Sequence, residues 1–134
     1  MNIYIVIPAY NESKRIGKVL NDLKVFNLPI IVVDDGSKDS TFKQAKRYKV
    51  ILLRHKLNLG KGAALKTGCE AAISMGADAI IMMDSDGQHK REDLPKFINA
   101  LETKKFDIIF GSRNLKFGVP LVRFIGNKIA SIMV

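Results

Sequence analysis

Short apolar runs without alternation, spaced by longer amphipathic stretches, are the strongest constraint on this chain. Ile3–Ile7, Pro29–Val33, Val50–Leu53, Ala79–Met83 and Asp107–Phe110 read as strands. A strand with one wet face alternates apolar and polar residues. One covered on both faces does not, and such strands belong to parallel sheets. Helical periodicity fills the gaps. Ile16, Val19, Leu20 and Leu23 form a stripe in Glu12–Lys24, and Phe42, Ala45 and Tyr48 recur one turn apart in Ser40–Tyr48. Ala64, Gly68, Ala71 and Met75 give Lys61–Met75 a narrow face suited to close approach, and Leu94, Phe97, Ile98 and Leu101 mark Glu92–Lys104. The order β-α-β-α-β-α-β-α-β predicts an α/β fold, a mostly parallel sheet with helices on both faces. At 134 residues with no internal linker, one domain over 1–134 is expected.

In such sheets ligands bind beyond the carboxyl ends of the strands. Each turn expected there is polar, glycine-bearing or charged: "PAYNES" after the first strand, "DDGSKDS" after the second, "HKLNLGKGAA" after the third, "DSDGQH" after the fourth and "GSRN" after the fifth. Asp34 and Asp35 can accept hydrogen bonds from a ribose hydroxyl or a base N–H, or serve the turn itself, while Asp39 or Ser40 can cap the next helix. "GKGAA" joins glycines and Lys61 to the free N–H groups of a helix start. That is an anion site, or a plain turn. Asp84 and Asp86 lie two apart in an extended segment, so their side chains point the same way. Converging carboxylates suit Mg²⁺ or Mn²⁺ bridging to substrate phosphates, with Gln88 and His89 at hand. An Asx-type turn carrying Asp-Gly is the competing reading.

Charge agrees with an anionic partner. Lys and Arg exceed Asp and Glu to give a net charge of +9. A nucleic-acid binder fits poorly, since the chain has no Trp and no patch of basic residues interleaved with aromatics. Cys69 is the single cysteine, which excludes an internal disulfide and fits a reducing compartment. No basic leader precedes the first apolar run, and no stretch is long and apolar enough to span a bilayer.

"VIPAYNE", "VVDDGSKDST", "NLGKGAAL", "MDSDGQH" and "GSRN" together resemble family 2 glycosyltransferases, above all the polyprenyl-phosphate and dolichyl-phosphate sugar synthases. The resemblance runs from Ile3 to about Asn127. It implies a GT-A fold and a metal-dependent, inverting transfer of sugar from a nucleotide-diphospho-sugar of GDP-mannose or UDP-glucose type to a polyprenyl phosphate. By the same resemblance Pro8, Tyr10, Glu12, Asp34, Asp35, Lys61, Asp84 and Ser85 hold the nucleotide-sugar. Asp84, Asp86 and Gln88 hold Mg²⁺ or Mn²⁺, and Asp86, Arg113 and Arg123 act at the reacting phosphates. Same-fold transfer to a saccharide, and a non-catalytic nucleotide-sugar-binding module, are the alternatives.

The tail, 119–134, shows a helical stripe of Leu121, Ile125, Ile129 and Ile132 opposite Arg123, Asn127 and Ser131. It is expected to lie on an anionic membrane surface or to pack on the core or a partner chain, and its apolar residues are expected to favour a homo-oligomer. The expected location is cytoplasmic, peripheral on the membrane face. Family members continue past the position of Val134, so part of the acceptor site is expected to be missing.

Overall fold

The structure, a computed structural model, describes residues 1–103, 105, 107–112 and 129–133. It divides into two units, Met1–Arg91 and Glu92–Val134.

The first unit is a four-stranded sheet with the order β3-β2-β1-β4. Its strands are β1 (Ile3–Ala9), β2 (Ile30–Asp34), β3 (Ile51–Arg54) and β4 (Ala79–Met82). All neighbours are parallel: Ile7 pairs with Val32, Val32 with Leu52, and Ile5 with Ile81. The expected strands are thus present, each within a residue or two of its predicted bounds. Both faces are covered. Val6, Ile31 and Val33 point one way into a cluster with Ala64 and Ala72. Ile5, Ile7 and Val32 point the other way and are equally buried. This double burial is why the strands lack alternation.

Helix α3 (Lys61–Ser74) covers the first of these faces. Its buried positions are Ala64, Gly68 and Ala72, one turn apart. This shifts the predicted face: Ala72 is inside, whereas Met75 is largely exposed. Gly68 fixes the shift, because a Cβ there would come within 2.4 Å of Val6 Cγ1 and 3.2 Å of Val33 Cγ2. Helix α1 (Ile16–Leu23) buries the predicted stripe of Ile16, Val19, Leu20 and Leu23. It packs on α2 (Thr41–Ala45), which in turn packs on β2 and β3.

In the second unit a 3₁₀ turn at Arg91–Asp93 leads into α4 (Leu94–Glu102). β5 (Ile108–Ser112) is parallel, as expected of this fold, but it pairs with β6 (Ile129–Met133) in a separate two-stranded sheet. Gly111 leaves room for Phe97 of α4, whose ring would lie 2.7 Å from a Cβ at that position. The strand β6 corrects the predicted tail helix over its final turns. Ile129 and Ile132 sit in an extended segment whose backbone groups pair with β5 from Ile108 to Ser112. Branched isoleucines suit a strand as well as the helical stripe, and pairing decides the matter. Leu121, Arg123, Ile125 and Asn127 lie outside the described residues, as does Arg113.

Candidate functional site

With every strand of the first sheet parallel, the ends of β1, β2, β3 and β4 lie along one edge. The chain runs outward from β1 to β2 to β3, then returns through α3 to place β4 on the other side of β1. In open α/β sheets such a reversal opens a crevice for ligands at that edge.

The β1 and β2 turns are stitched to each other. Asn11 N donates to Ser37 Oγ at 2.9 Å, and Lys38 N donates to Asn11 Oδ1 at 2.9 Å. Glu12 N donates to Thr41 Oγ1 at 2.8 Å, and Ser13 N to Asp39 Oδ2 at 3.1 Å. Asn11 adopts a left-handed φ of 52°, a conformation Asn tolerates better than most residues. Burial pushes the Asp39 carboxyl up, but hydrogen bonds from Thr41 and Ser13 outweigh it and hold it down at about 2. Asp39 therefore serves the structure: its Oδ1 accepts Thr41 N at 2.9 Å at the start of α2, whereas Ser40, the cap residue, makes no side-chain cap bond. Pro8 is buried within β1, Tyr10 is 41% exposed just beyond it, and Glu12 is partly buried with Oε2 2.8 Å from Arg15 Nε.

Asp34 and Asp35 close β2 and are both buried. Asp34 Oδ1 accepts from Ser37 N at 3.1 Å. Its Oδ2 lies 3.0 Å from Arg54 Nε, an ionic contact only, for that oxygen accepts no hydrogen bond among the described residues. Arg54 is steadied by the Phe42 ring, 4.9 Å below its guanidinium carbon, and by Ser37 O. The Asp35 carboxylate, 3% exposed, accepts three hydrogen bonds from the β3–α3 turn. They come from His55 Nδ1 at 2.7 Å, Leu59 N at 2.9 Å and Gly60 N at 2.9 Å. Burial raises this carboxyl, but the bonds from Leu59, His55 and Gly60 prevail and it titrates below the usual range. Gly36 lets the two turns meet: with φ at 68°, it faces Leu57, whose carbonyl carbon would lie 2.4 Å from a Cβ.

Gly60, at φ 96°, caps α3, and Lys61 is the first residue of the helix. Lys61 Nζ forms an ion pair with Asp84 Oδ1, and His89 Nε2 lies 3.6 Å from Asp84 Oδ2. Burial raises the Asp84 carboxyl, but the Lys61 hydrogen bond and charge, backed by His89, hold it below the usual range. Ser85 is buried beside it. Asp86 Oδ1 accepts from Gln88 N at 2.9 Å, and Gly87 has φ 75°. The Asx turn is thus real, and it leaves the second oxygen of Asp86 uncommitted among the described residues. The Gln88 side chain is exposed, with only its backbone on Asp86.

Asp84 and Asp86 offer a hard cation carboxylate oxygens, and Asp84 already balances positive charge. Among the described residues no group of three or more His, Cys, Asp or Glu gathers to hold a metal. The donors therefore fit a Mg²⁺ or Mn²⁺ shared with ligand phosphates, which needs one or two carboxylates and retains waters. They do not fit an all-protein cage. The site thus brings together the turns holding Asp34, Asp35, Lys61, Asp84 and Asp86. Sequence reasoning missed His55 and Thr67, which buttress the β3–α3 turn. The only signal for His55 was its position just after β3.

Residues 4–128 match glycosyl transferase family 2. A UDP-N-acetylglucosamine–dolichyl-phosphate N-acetylglucosaminyltransferase of Methanococcus voltae is 39% identical, the match covering 93% of this chain and 59% of that protein. A dolichol-phosphate mannosyltransferase of Pyrococcus furiosus is 34% identical over 88% of this chain and 35% of its own length. The chain thus spans little more than half the length of such relatives, or less. Glucosyl-3-phosphoglycerate synthase of Mycobacterium tuberculosis, solved with Mn²⁺, UDP-glucose and phosphoglyceric acid, superposes with a TM-score of 0.71 at 22% identity. That match covers 84% of this chain and 44% of the synthase, and it shows the GT-A fold. On its sequence and its fold, the chain belongs to glycosyl transferase family 2.

Proposed function

We propose that this chain is the donor-binding part of a transferase that moves a sugar from a nucleotide-diphospho-sugar to a polyprenyl phosphate at a membrane surface. The observation that carries the reading is the Lys61–Asp84 ion pair across the sheet's crevice. It sets a cation, a helix N-terminus and an acidic pair where a diphosphate would lie. The names of the Methanococcus and Pyrococcus relatives support a dolichyl-phosphate acceptor. The Mn²⁺ and UDP-glucose bound to the mycobacterial synthase support the donor class and the metal.

On this reading Asp34 and Asp35 face the base and ribose, with Pro8, Tyr10 and Glu12 flanking the nucleotide. The first N–H groups of α3 and the Lys61 ammonium receive the diphosphate, whose charge grows as the sugar leaves. Asp84 and Asp86, with Ser85 and Gln88 alongside, would hold a Mg²⁺ or Mn²⁺, which would supply further neutralisation of that leaving group. Arg113 and Arg123 orient the acceptor phosphate, as guanidinium matches its geometry. A phosphate oxygen is already anionic, so no general base is needed. It attacks the anomeric carbon as the bond to the diphosphate breaks, and the configuration inverts.

The test is transfer of labelled sugar from UDP- and GDP-sugars to polyprenyl phosphate with Mg²⁺ or Mn²⁺. Label in the lipid fraction is expected. Label in a saccharide would overturn the lipid reading, and failure to bind either donor would overturn the donor-binding role.

A further inference from the structure

The β3–α3 turn, residues 55–60, is held at both ends by buried polar groups of the β2 end. His55 N donates to Asp34 O at 2.9 Å, at the end of the sheet. The His55 ring is 12% exposed and bridges two elements. Its Nδ1 lies 2.7 Å from Asp35 Oδ1, and its Nε2 lies 2.9 Å from Thr67 Oγ1 on α3. A carboxylate can only accept, so Nδ1 carries the proton and donates to Asp35, and the ring's other nitrogen meets the Thr67 hydroxyl. The same carboxylate takes the N–H groups of Leu59 and Gly60. Gly60 is the residue before Lys61, and its carbonyl accepts Ala64 N at 3.1 Å as α3 begins.

We infer that His55 is a positioning residue for Lys61. Thr67, His55 and Asp35 form one relay that locks the turn, sets the start of α3, and so fixes the stem from which Lys61 reaches Asp84. Without the ring, Asp35 loses its shortest partner and keeps only the N–H groups of Leu59 and Gly60. The Lys61 ammonium would then sample a wider volume, and a diphosphate would have to restrict it on binding. This inference rests on the proposed reading of Lys61 as a diphosphate contact.

The test is a double-mutant cycle with UDP and GDP as probes, each with Mn²⁺, read by calorimetry. His55→Ala and Lys61→Ala are each expected to weaken binding about tenfold. The double variant is expected to bind no more weakly than Lys61→Ala, because His55 acts through Lys61. His55→Asn, whose amide N–H takes the place of Nδ1–H, is expected to recover most of the loss. Additive effects, or full affinity in His55→Ala, would overturn the inference. Amide exchange at Leu59 and Gly60 is measured in parallel without nucleotide, and faster exchange in His55→Ala is expected. If the wild-type chain bound neither nucleotide, the transferase reading would fall, and unchanged exchange would separately overturn the positioning role. Should His55→Ala not fold, Thr67→Val takes its place with the same outcomes.

Discussion

The ammonium of Lys61 and the carboxylate of Asp84 meet across the point where the chain reverses direction in the sheet. Lys61 opens the helix that leads from β3 back to β4, and Asp84 lies just past the end of β4. One crossover therefore supplies both partners.

Removing either acidic group should separate binding from folding. Asp84→Ala and Asp86→Ala are expected to lose Mn²⁺-dependent binding of UDP or GDP about tenfold or more, with thermal midpoints close to wild type. Asp84 is one-third exposed, so its pairing with Lys61 adds little to stability. Calorimetry alongside thermal melts checks this, and unchanged affinity would remove the metal role.

Gly68→Ala should destabilise the sheet without touching the crevice. The new methyl would press on Val6 and Val33, stiff branched side chains in the core. Overpacking of this kind costs about 1–3 kcal/mol. Chemical denaturation would register the loss as a lower midpoint with an unchanged slope.

Gly36→Ala should combine backbone strain with a clash at Leu57, for an expected loss of about 1–3 kcal/mol. Here the neighbour is backbone and cannot rotate away. The β3–α3 turn would be displaced and nucleotide affinity would fall with stability, which distinguishes this variant from Gly68→Ala in a paired melt and titration.

Asp39 gives a pH signature. Its carboxyl is held at about 2 in the folded chain against an ordinary 3.8. A depressed folded value means the unfolded chain takes up the proton first. The stabilisation is therefore complete above the ordinary value and is lost as pH falls through the folded one. Asp39→Asn should flatten the decline in stability between about pH 4 and about pH 2, measured by denaturant titration across that window.

The strands were readable because Ile5, Val6, Ile7 and Ile31, Val32, Val33 are buried in unbroken runs, a pattern only a doubly covered sheet demands. The α1 stripe was readable because large residues mark its inner face. The α3 face was only partly so: Ala71 and Ala72 carry the same side chain, and the choice between them depends on how Gly68 meets Val6. The acidic pair could be found from spacing, but its link to Lys61 could not, since it depends on the path of α3. His55 was less visible still. Its partner Asp35 lies a whole strand and helix away in sequence, and the bond exists only because the turn folds back over Gly36. At β6 the isoleucines satisfied a helical period by coincidence, and strand pairing overrode it.

The central place of β1 has a consequence for biosynthesis. Of the four strands in this sheet β1 is made before either partner: β2 flanks it on one side and, much later, β4 on the other, where Ile3 aligns with Ala79. One border of that strand stays bare until the fourth strand emerges, so nascent chains should need shielding from aggregation through that interval. Removing a few residues of β1 should be far more damaging than an equal loss from an outer strand.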